Sequence, residues 1–344
     1  YGVSGPLHMW IAAFLRDREQ YVRIENCLSP TVCVRSGVPQ GSVLGPILFI
    51  LYINDVTDIL VDDVSCKLYA DDLKLYCPIV PTLGFSESLQ TSLDNLCDWS
   101  LKWQLPINVD KSFFVTISRN NICNCVHSYR ILCSLLTRRL SVDDLGIAYD
   151  CNLCFDNYVN NIASSAKAKV GLLFRSFKTR DPALLKRAYV TYIRPKLEYA
   201  SNLWNPFHKT TIAVLENVQR YFTRRIPSLS IFSYEERLAM LNLDTLEKRR
   251  LKSDLVLYYK ILHGLSSIPA SAFDTYNTCS VSRSKSSLLR KNIAGTQACY
   301  FSFFNRAVDC WNVLPSSLTD ASSLSVFRSR LDMTDLSHYC TVLA

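Results

Sequence analysis

The sequence predicts an α+β fold in its first part, followed by a largely helical region. Apolar and polar residues alternate with period two from Val64 to Cys77, which is typical of paired β-strands. From about Asp156 the apolar residues instead recur with the 3.6-residue period of helices. The chain has 344 residues, 49% hydrophobic and 20% charged, so it is globular and long enough for two or three domains.

The predicted domains follow from where these patterns change along the chain. We expect a mixed domain over residues 1–155, in which helices pack on a small antiparallel sheet. Residues 156–264 should form a helical domain. Residues 265–298, which are rich in Ser, Thr and Asn, should form a linker or loose connection. A helical tail should occupy residues 299–344.

The first elements are predicted from apolar patterns that Gly and Pro interrupt. We expect a helix over residues 6–18, followed by strands over residues 20–26 and 31–38 that are joined by a turn at Ser29-Pro30. The stretch GVPQGSVLGP, residues 37–46, is typical of a loop that leads into an apolar helix.

More elements are expected beyond the alternating stretch. A helix over residues 86–105 should end before Pro106. The stretch FFVTIS, residues 113–118, predicts a strand, and short strands should follow between residues 129 and 150. Four prolines should interrupt the helical region: Pro182, Pro195, Pro206 and Pro227.

Charge is unevenly distributed, although the net charge of the chain is only +8. Residues 1–159 carry 12 Lys and Arg against 17 Asp and Glu, whereas residues 160–260 carry 19 against 8. A basic helical region after an acidic one fits a polyanion-binding surface beside a metal-bearing site; solvated helix faces are the structural alternative. The longest apolar run, Val43 to Ile53, is too short to span a bilayer, so we expect no membrane association.

Two adjacent acids, Asp71 and Asp72, interrupt the alternation in SCKLYADDLKLYCP, residues 65–78. A tight hairpin turn usually contains Asn-Gly or Asp-Gly, because its central residues need positive φ. No glycine is present here, and neighbouring carboxylates repel each other unless a cation lies between them. The stretch therefore indicates either a solvated turn or a cation-binding bend, and the neighbouring motifs decide between the two.

Three motifs follow one another along the chain: SGVPQGS (residues 36–42), YADD (residues 69–72) and LPINVDKS (residues 105–112). With these motifs, the chain resembles the reverse transcriptases of non-LTR retrotransposons, the LINE-type elements of the Jockey and related lineages. The resemblance continues through DLGIAYDCNLCFDNYV to the WNVLP tail and covers nearly the whole chain. It implies a polymerase-type palm over residues 1–155 and an all-α thumb over residues 156–264.

The resemblance implies an RNA-directed DNA polymerase that transfers a nucleotide from a dNTP to a primer 3′-hydroxyl. Asp71 would be the first catalytic metal ligand and Asp72 the second, with Tyr69 beside the primer end. The implied cofactor is Mg²⁺, with Mn²⁺ as a substitute, because hard divalent cations prefer carboxylate oxygens.

The resemblance also assigns roles to the glycine-rich loop and to Lys111. Four loop residues would contact the incoming nucleotide or the template: Gly37, Pro39, Gln40 and Gly41. The glycines, with Gly45 as a third, would let the backbone approach closely, and the Gln40 amide would hydrogen-bond a base edge or sugar. Lys111, after a strand-like INVD run, would lie near the leaving pyrophosphate. A Gly-Pro turn and an ordinary surface lysine are the structural alternatives.

The basic helical region would grip the primer–template duplex, mainly through its phosphates. The cations expected to contact the nucleic-acid backbone are Arg220, Arg224, Arg225, Lys248, Arg249, Arg250 and Lys252. The implied partners are an RNA template, a DNA primer, dNTPs and the element's own RNA in a ribonucleoprotein particle. The expected location is intracellular, in the nucleus or the cytoplasm.

The family pattern is incomplete near the first residues. The palm of such enzymes uses a third carboxylate on an earlier strand, and neither that motif nor the fingers precede the helix near Pro6. We therefore expect an N-terminally truncated fragment that does not extend a primer by itself. The alternatives are a catalytically incompetent nucleic-acid-binding remnant and a viral RNA-dependent RNA polymerase, although the latter usually carries Gly before the acidic pair.

Overall fold

The computed structural model describes residues 2–79, 85–117, 128–275, 288–292 and 295–341. The chain divides into two compact units, one of residues 1–114 with 122–139 and one of residues 115–121 with 140–344. The first unit combines helices with short strands and the second is mainly helical, which confirms the predicted α+β class. The domain bounds at residues 155, 264 and 298 stay predictions.

The first unit contains a few helices and many very short strands. Its helices are α1 (Gly5–Leu15), α2 (Gly45–Ile53) and α3 (Glu87–Trp103). Its strands are β1 (Glu19–Gln20), β2 (Arg23–Ile24), β3 (Cys27–Leu28), β4 (Val32–Cys33), β5 (Ser65–Tyr69), β6 (Asp72–Tyr76), β7 (Phe113–Phe114), β8 (Arg130–Ile131), β9 (Ser134–Leu135) and β10 (Thr137–Arg138). They form two-stranded pairs, of which β1–β4, β2–β3, β5–β6 and β8–β9 are antiparallel and β7–β10 is parallel.

The region predicted as two strands joined at Ser29-Pro30 is a nested hairpin that bends at Glu25 instead. Strands β2 and β3 pair inside β1 and β4, and Glu25 has a φ of +52°. The segment between β3 and β4 is one residue longer than the segment between β1 and β2, as in a β-bulge. The Ser29 hydroxyl accepts the N–H of Val22 at 2.8 Å. Ser29 thus bridges the two arms, and the predicted turn is wrong.

Helix α3 organises the core of the first unit. The Ser86 hydroxyl caps its first turn, and Gln104 ends it in the left-handed conformation, with a φ of +54°. This confirms the predicted helix. Leu93 packs towards β8, whereas Leu96 and Trp99 pack against α2 and the β5–β6 hairpin. Apolar residues of α3 therefore contribute to two hydrophobic clusters, and each cluster contains strand residues of the first unit.

Two other predicted elements differ from the structure. Helix α1 ends at Leu15, earlier than predicted, and none of its residues is buried against the described part of the chain. The strand predicted over residues 113–118 is reduced to β7, because only Phe113 and Phe114 pair with a neighbouring strand. Residues 115–117 are not in a strand, and Ser118 lies outside the described residues.

The second unit begins with one hairpin and continues as helices. Its first elements are β11 (Ser141–Asp144), β12 (Ile147–Asp150), α4 (Asp156–Ser176), α5 (Pro182–Tyr192), α6 (Arg194–Glu198), α7 (Ser201–Trp204), α8 (Lys209–Arg224), α9 (Tyr234–Leu241) and α10 (Leu246–Leu262). The later elements are β13 (Asp274–Thr275), β14 (Leu289–Arg290), α11 (Gln297–Tyr300), α12 (Phe303–Arg306), α13 (Val308–Val313), α14 (Ser316–Thr319) and α15 (Leu324–Asp332). The four predicted prolines all lie at helix starts or between helices, which confirms the predicted breaks.

Two hydrophobic cores hold the second unit together. In the first, α4 packs against α8, and Val159, Ala166 and Val170 are fully buried at helical spacing. In the second, α10 packs against helices α12–α15. Phe273 and Leu289, both within the predicted loose connection, are buried in this second core. Among the helices of the described residues, none combines the length and apolarity needed to cross a bilayer.

Candidate functional site

The acidic bend is a two-residue turn between strands β5 and β6. Their register pairs Tyr69 with Asp72, which leaves Ala70 and Asp71 at the turn. Ala70 has a φ of +52°, a conformation that glycine adopts far more easily than alanine. Such a residue costs on the order of 1 kcal/mol and persists only where the flanking structure holds it. The predicted hairpin is confirmed, and its turn is strained.

The hairpin buries its hydrophobic face and exposes its acids. Leu68 and Leu73, which pair across the strands next to the turn, pack into a hydrophobic cluster of the first unit. Asp71 and Asp72 are exposed, and neither carboxylate forms a hydrogen bond or ion pair with another described residue. Tyr69 is 65% exposed. Both carboxylates and the tyrosine are therefore accessible to a ligand.

The glycine-rich loop before α2 is closed by its own hydrogen bonds. The Ser42 hydroxyl donates to the carbonyl of Pro39 at 2.7 Å and accepts the N–H of Gly45 at 3.0 Å. A Cβ at Gly45 would lie 2.9 Å from both the Pro39 carbonyl oxygen and Ser42 Oγ, so a larger residue would push the loop off its helix. These contacts fix the shape of the loop.

The outer part of the same loop is open. Gly37 and Gly41 have φ values of +80° and +79°, which other residues rarely adopt. No heavy atom would lie within 4 Å of a Cβ at either position, so space remains in front of this backbone. Gln40 between them is exposed, and its amide has no hydrogen-bond partner among the residues that the structure describes.

Arg18 ties this loop to the end of α1. Its Nη2 donates to the carbonyl of Gly37 at 2.6 Å, and its Nε donates to the carbonyl of Leu15 at 3.0 Å. No sequence pattern indicated Arg18, because a contact between residues this far apart in the chain leaves no local signal.

Lys111 lies in a short 3-10 turn, Val109–Lys111. The Asn108 side chain accepts the N–H of Lys111 at 3.2 Å, which favours a turn over the strand that the apolar pattern suggests. The strand-like interpretation of INVD is therefore wrong. The Lys111 side chain is exposed and forms no hydrogen bond or ion pair within the described part of the chain.

One hydrophobic cluster supports all three motifs. It is built around Leu96 and Trp99 of α3. The other contributors come from α2 after the loop, from the hairpin, and from the segment before Lys111: Phe49, Ile53, Leu68, Leu73, Leu105 and Ile107. Residues next to each of the three motifs thus pack into one hydrophobic cluster. Such packing holds side chains in the fixed geometry that a functional site requires.

The donor set at the bend fits a cation of the magnesium type. Within the described ranges, no group of three His, Cys, Asp or Glu side chains is arranged to hold a metal ion. Mg²⁺ is usually bound by one or two protein carboxylates, while waters and substrate phosphates fill its other positions. Asp71 and Asp72 supply hard oxygen ligands in that number.

In the second unit, the cations at the end of α8 lie beside aromatic rings. The Arg225 guanidinium lies 5.0 Å from the ring centre of Phe174 and 5.3 Å from that of Tyr221, and it donates to the Tyr221 hydroxyl at 2.5 Å. Lys167 of α4, which the sequence analysis did not single out, lies 5.2 Å from the same Tyr221 ring. Arg224 and Arg225 are exposed and have no carboxylate partner among the described residues.

The cations of α10 have partners inside the protein. Lys248 and Lys252 both bind Asp244, at 3.1 and 2.7 Å. Arg249 binds Glu198 through both Nε and Nη2. Because carboxylates already neutralise these charges, the α10 cations are weaker candidates for phosphate contacts than Arg224 and Arg225.

Arg250 is the exception within the predicted set. Its side chain is only 1% exposed, and its Nε donates to Asn205 Oδ1 at 2.8 Å. Its Nη1 and Nη2 have no hydrogen-bond partner among the described residues, and burial lowers the pKa of the guanidinium. The prediction that Arg250 contacts the nucleic-acid backbone is wrong, because the residue lies on the buried side of α10. The roles predicted for the other six cations stay predictions.

Comparison with known proteins relates this site to a family. Residues 2–157 match the family described as reverse transcriptase (RNA-dependent DNA polymerase). The chain is 27% identical over 233 residues to the RNA-directed DNA polymerase from mobile element jockey of Drosophila funebris. The aligned residues make up 65% of this chain and 25% of that protein. It is 25% identical over 245 residues to the probable RNA-directed DNA polymerase from transposon X-element of Drosophila melanogaster, with 67% and 26% covered.

A third relative is the probable RNA-directed DNA polymerase from transposon BS of Drosophila melanogaster, 25% identical over 255 residues, with 71% of this chain and 28% of that protein covered. The chain thus spans about a quarter of the length of these relatives. No solved structure matches it. The glycine-rich loop, the acidic hairpin and Lys111 all lie within the matched residues 2–157. This segment is a reverse transcriptase domain, and the chain is a homologue of the RNA-directed DNA polymerases of Jockey-type non-LTR retrotransposons.

Proposed function

We propose that this protein contributes Asp71 and Asp72, as the metal ligands, to the addition of deoxynucleotides to a primer 3′-hydroxyl on an RNA template. The observation that carries the proposal is the exposed acidic bend. A strained turn with two adjacent carboxylates and no partner within the described residues is unfavourable for folding alone. A divalent cation between the carboxylates would turn their repulsion into attraction.

The chain's own residues would position the reactants. Bound Mg²⁺, or Mn²⁺ in its place, would activate the attacking hydroxyl and stabilise the leaving pyrophosphate. Asp71 and Asp72 would hold the cation at the end of a hairpin that Leu68 and Leu73 anchor from the other face. Tyr69, which pairs with Asp72, would place its exposed ring beside the primer end.

The loop and Lys111 would bind the rest of the substrates. The open space in front of Gly37 and Gly41 allows a nucleotide or template to approach the backbone closely. Pro39 holds the loop through its bond to Ser42, and the Gln40 amide can both donate to and accept from a base edge or a sugar. The exposed ammonium of Lys111 would neutralise charge on the leaving pyrophosphate.

The second unit would bind the primer–template duplex. Arg224, Arg225 and Lys167 offer exposed cations, and contacts to phosphates position a duplex without reading its sequence. Arg220, which stacks on the Tyr234 ring at 4.2 Å, would add a further cation. The proposed partners are an RNA template, a DNA primer, dNTPs and the element's own RNA in an intracellular ribonucleoprotein particle.

Metal binding tests the proposal directly. The chain is titrated into Mn²⁺ in the presence of a primer–template, and free Mn²⁺ is followed by its paramagnetic resonance signal. Loss of a residue that merely supports a metal ligand costs about 10- to 100-fold in affinity, so Asp71→Asn and Asp72→Asn should each weaken Mn²⁺ binding by about tenfold or more. Asp98→Asn, an exposed position on α3, is the matched control and should leave binding unchanged.

Equal Mn²⁺ binding by the chain and by Asp71→Asn would contradict the proposal. Primer extension with labelled dNTPs is measured in parallel, and our expectation from the sequence is that this chain alone does not extend a primer. Extension that survives in the Asp71→Asn variant would place the catalytic centre elsewhere in the protein.

A further inference from the structure

Within the part of the chain that the structure describes, one side chain holds the front of the glycine-rich loop, residues 35–38. This segment forms no hydrogen bond there except those that Arg18 donates, to the carbonyl of Gly37 at 2.6 Å and to that of Ser36 at 3.5 Å. The back of the loop is held separately, by the Ser42 hydroxyl. Arg18 therefore decides whether both ends of the loop are fixed.

The Arg18 guanidinium bonds only to neutral acceptors. Its Nε donates to the carbonyl of Leu15 at 3.0 Å, whereas its Nη2 donates to the loop. Arg18 is half-buried and forms no ion pair with a described residue. The Leu15 carbonyl at the end of α1 needs only the Nε bond. Capping of the helix thus leaves the bonds to the loop unexplained.

The loop adopts a conformation that needs such an anchor. Gly37 and Gly41 have φ values of +80° and +79°, and no heavy atom would lie within 4 Å of a Cβ at either position. Glycine adopts negative φ about as readily as positive φ, so these residues do not fix the loop by themselves. A ligand that needs one loop conformation binds in proportion to the population of that conformation.

We propose that Arg18 is a positioning residue, which keeps the glycine-rich loop in the conformation that receives the single-stranded template and the incoming nucleotide. The inference rests on the proposed function, in which this loop contacts the template or the nucleotide. Arg18 acts through the Gly37 backbone and does not itself touch the nucleic acid. Loss of a hydrogen bond from a charged donor should lower the population of the held conformation, and with it the apparent affinity, about tenfold.

Two other roles for Arg18 lead to different expectations. If Arg18 bound a phosphate directly, Arg18→Lys would retain most of the affinity, because an ammonium also binds phosphate as a point charge. A positioning role does not survive this change, because one ammonium cannot reproduce the planar fork that joins the end of α1 to the loop. If Arg18 only capped α1, no substitution would alter nucleic-acid binding.

The first measurement is binding of two nucleic acids by fluorescence anisotropy. One is an RNA–DNA primer–template with a single-stranded RNA overhang, and the other is a blunt RNA–DNA duplex of the same paired sequence. Both are measured with Mn²⁺ and the dNTP that the overhang specifies, and the primer ends in a dideoxynucleotide so that no extension occurs. Arg16→Gln is the matched control, because Arg16 is an exposed cation near Arg18 whose side chain has no partner among the described residues.

Arg18→Gln and Arg18→Lys should each weaken binding of the overhang substrate about tenfold. Binding of the blunt duplex should change by no more than about twofold, because this duplex offers the loop no template strand. Arg16→Gln should change neither affinity by more than about twofold.

The second measurement follows the loop without any ligand. Arg35 is exposed and directly precedes Ser36, so trypsin can cleave between them when the front of the loop leaves Arg18. Proteolysis follows the population of the open form when opening and closing are fast. The rate at this bond, measured by mass spectrometry, should rise about tenfold in both Arg18 variants and stay unchanged in Arg16→Gln. Cleavage after Lys178, an exposed residue of the second unit, is the internal reference.

Thermal unfolding checks that the variants remain folded. Because no described residue of α1 is buried, both Arg18 variants should melt within about 3 °C of the unsubstituted chain. Faster cleavage together with weaker binding of the overhang substrate, in both variants, supports the inference. Unchanged cleavage in Arg18→Gln, unchanged binding of the overhang substrate in that variant, or full binding by Arg18→Lys overturns it.

The two proposals fail in different measurements. If Asp71→Asn weakens Mn²⁺ binding while Arg18→Gln binds the overhang substrate as the unsubstituted chain does, only the Arg18 inference is wrong. If the unsubstituted chain binds the overhang substrate no better than the blunt duplex, the loop does not contact template or nucleotide, and the Arg18 inference fails with that part of the proposed function. If Asp71→Asn and Asp72→Asn also leave Mn²⁺ binding unchanged, the whole proposed function is wrong.

Discussion

Two carboxylate sites of this protein, one in each unit, differ in how their charge is satisfied. In the second unit, Asp254 is 1% exposed and accepts hydrogen bonds from Asn202, Asn205 and Arg306. In the first unit, Asp71 and Asp72 are exposed and have no partner among the described residues. A carboxylate whose hydrogen-bonding capacity is satisfied internally stabilises the fold, whereas one that is not satisfied remains available to a ligand. Exposure alone does not identify a site, because Asp98 is exposed as well; at Asp71 and Asp72 it coincides with the strained turn and the neighbouring motifs.

The cations of the second unit divide in the same way. On α10, Lys248, Arg249 and Lys252 bind carboxylates, and Arg250 is buried. At the end of α8, Arg224 and Arg225 have no carboxylate partner within the described residues. Helix α10 therefore uses its charges for packing, and α8 presents its charges to solvent.

Asp254→Asn should produce the largest effect and would test the structural side of this contrast. Arg306 donates to Asp254 through Nε and Nη2, both at 2.8 Å, and is itself largely buried. Without the negative charge a buried cation loses its counter-ion, so the free energy of unfolding of the second unit should fall by about 3–5 kcal/mol. Urea denaturation followed by tryptophan fluorescence and circular dichroism measures the loss.

Asp72→Asn is the matched control, because it makes the same chemical change on the exposed hairpin. It removes a repulsion and no hydrogen bond or ion pair within the described residues, so the free energy of unfolding should stay within about 0.5 kcal/mol of the unsubstituted chain. A loss as large as that of Asp254→Asn would show that the acidic bend is a structural element and would remove the contrast between the two units.

The second prediction concerns the cations of α8 and α10. Replacing Arg224 and Arg225 together with Gln should weaken binding of an RNA–DNA duplex about tenfold and reduce the salt slope by about 2, one for each phosphate contact. Replacing Lys248 and Lys252 removes the same charge from residues that already bind Asp244, so the loss should be about threefold or less. Filter binding over a range of salt concentrations measures both. Equal losses would show that internal ion pairs do not decide which cations bind nucleic acid.

The smallest effect should appear in the pH dependence that Glu216 causes. Glu216 is fully buried, and burial raises its pKa above the ordinary value of 4.5, against an opposing hydrogen bond from Tyr234. The folded state then holds the proton more tightly than the unfolded chain does. The contribution of Glu216 to stability is therefore fully present below about pH 4.5 and is lost as the pH rises through the folded-state pKa.

Glu216→Gln should abolish this loss. The melting temperatures of the two chains are compared between about pH 4 and pH 8, so that contributions common to both cancel in the difference. The unsubstituted chain should lose stability relative to Glu216→Gln as the pH rises. A difference in melting temperature that is independent of pH would contradict the prediction.

Local patterns were sufficient to predict the hairpin and the principal helices. Alternation on both sides of Asp71 and Asp72 predicted the β5–β6 pair, and the apolar spacing before Pro106 predicted α3. Both signals report which face of one element is buried, and a short stretch of sequence contains that information. The order of the three motifs then predicted the reverse transcriptase domain that the family comparison confirms.

Partners that lie far apart in the chain could not be predicted in this way. The nested hairpin bends at Glu25 because of a register that no local turn signal showed. For Arg250 a signal did exist: Leu246, Arg250 and Asp254 are spaced by four residues and so lie on one side of α10, where Leu246 is fully buried. The density of basic residues around Arg250 concealed that helical periodicity.

The left-handed backbone at Ala70 constrains how the site can change over evolutionary time. Ala70 lies between Tyr69 and the two acids in the chain, so any substitution at this position also changes the turn that carries the proposed metal ligands. Any β-branched residue there would have to adopt a φ near +50° that such residues strongly disfavour. A larger residue at position 70 would thus weaken folding, and compensating changes should arise in the strands that flank the turn.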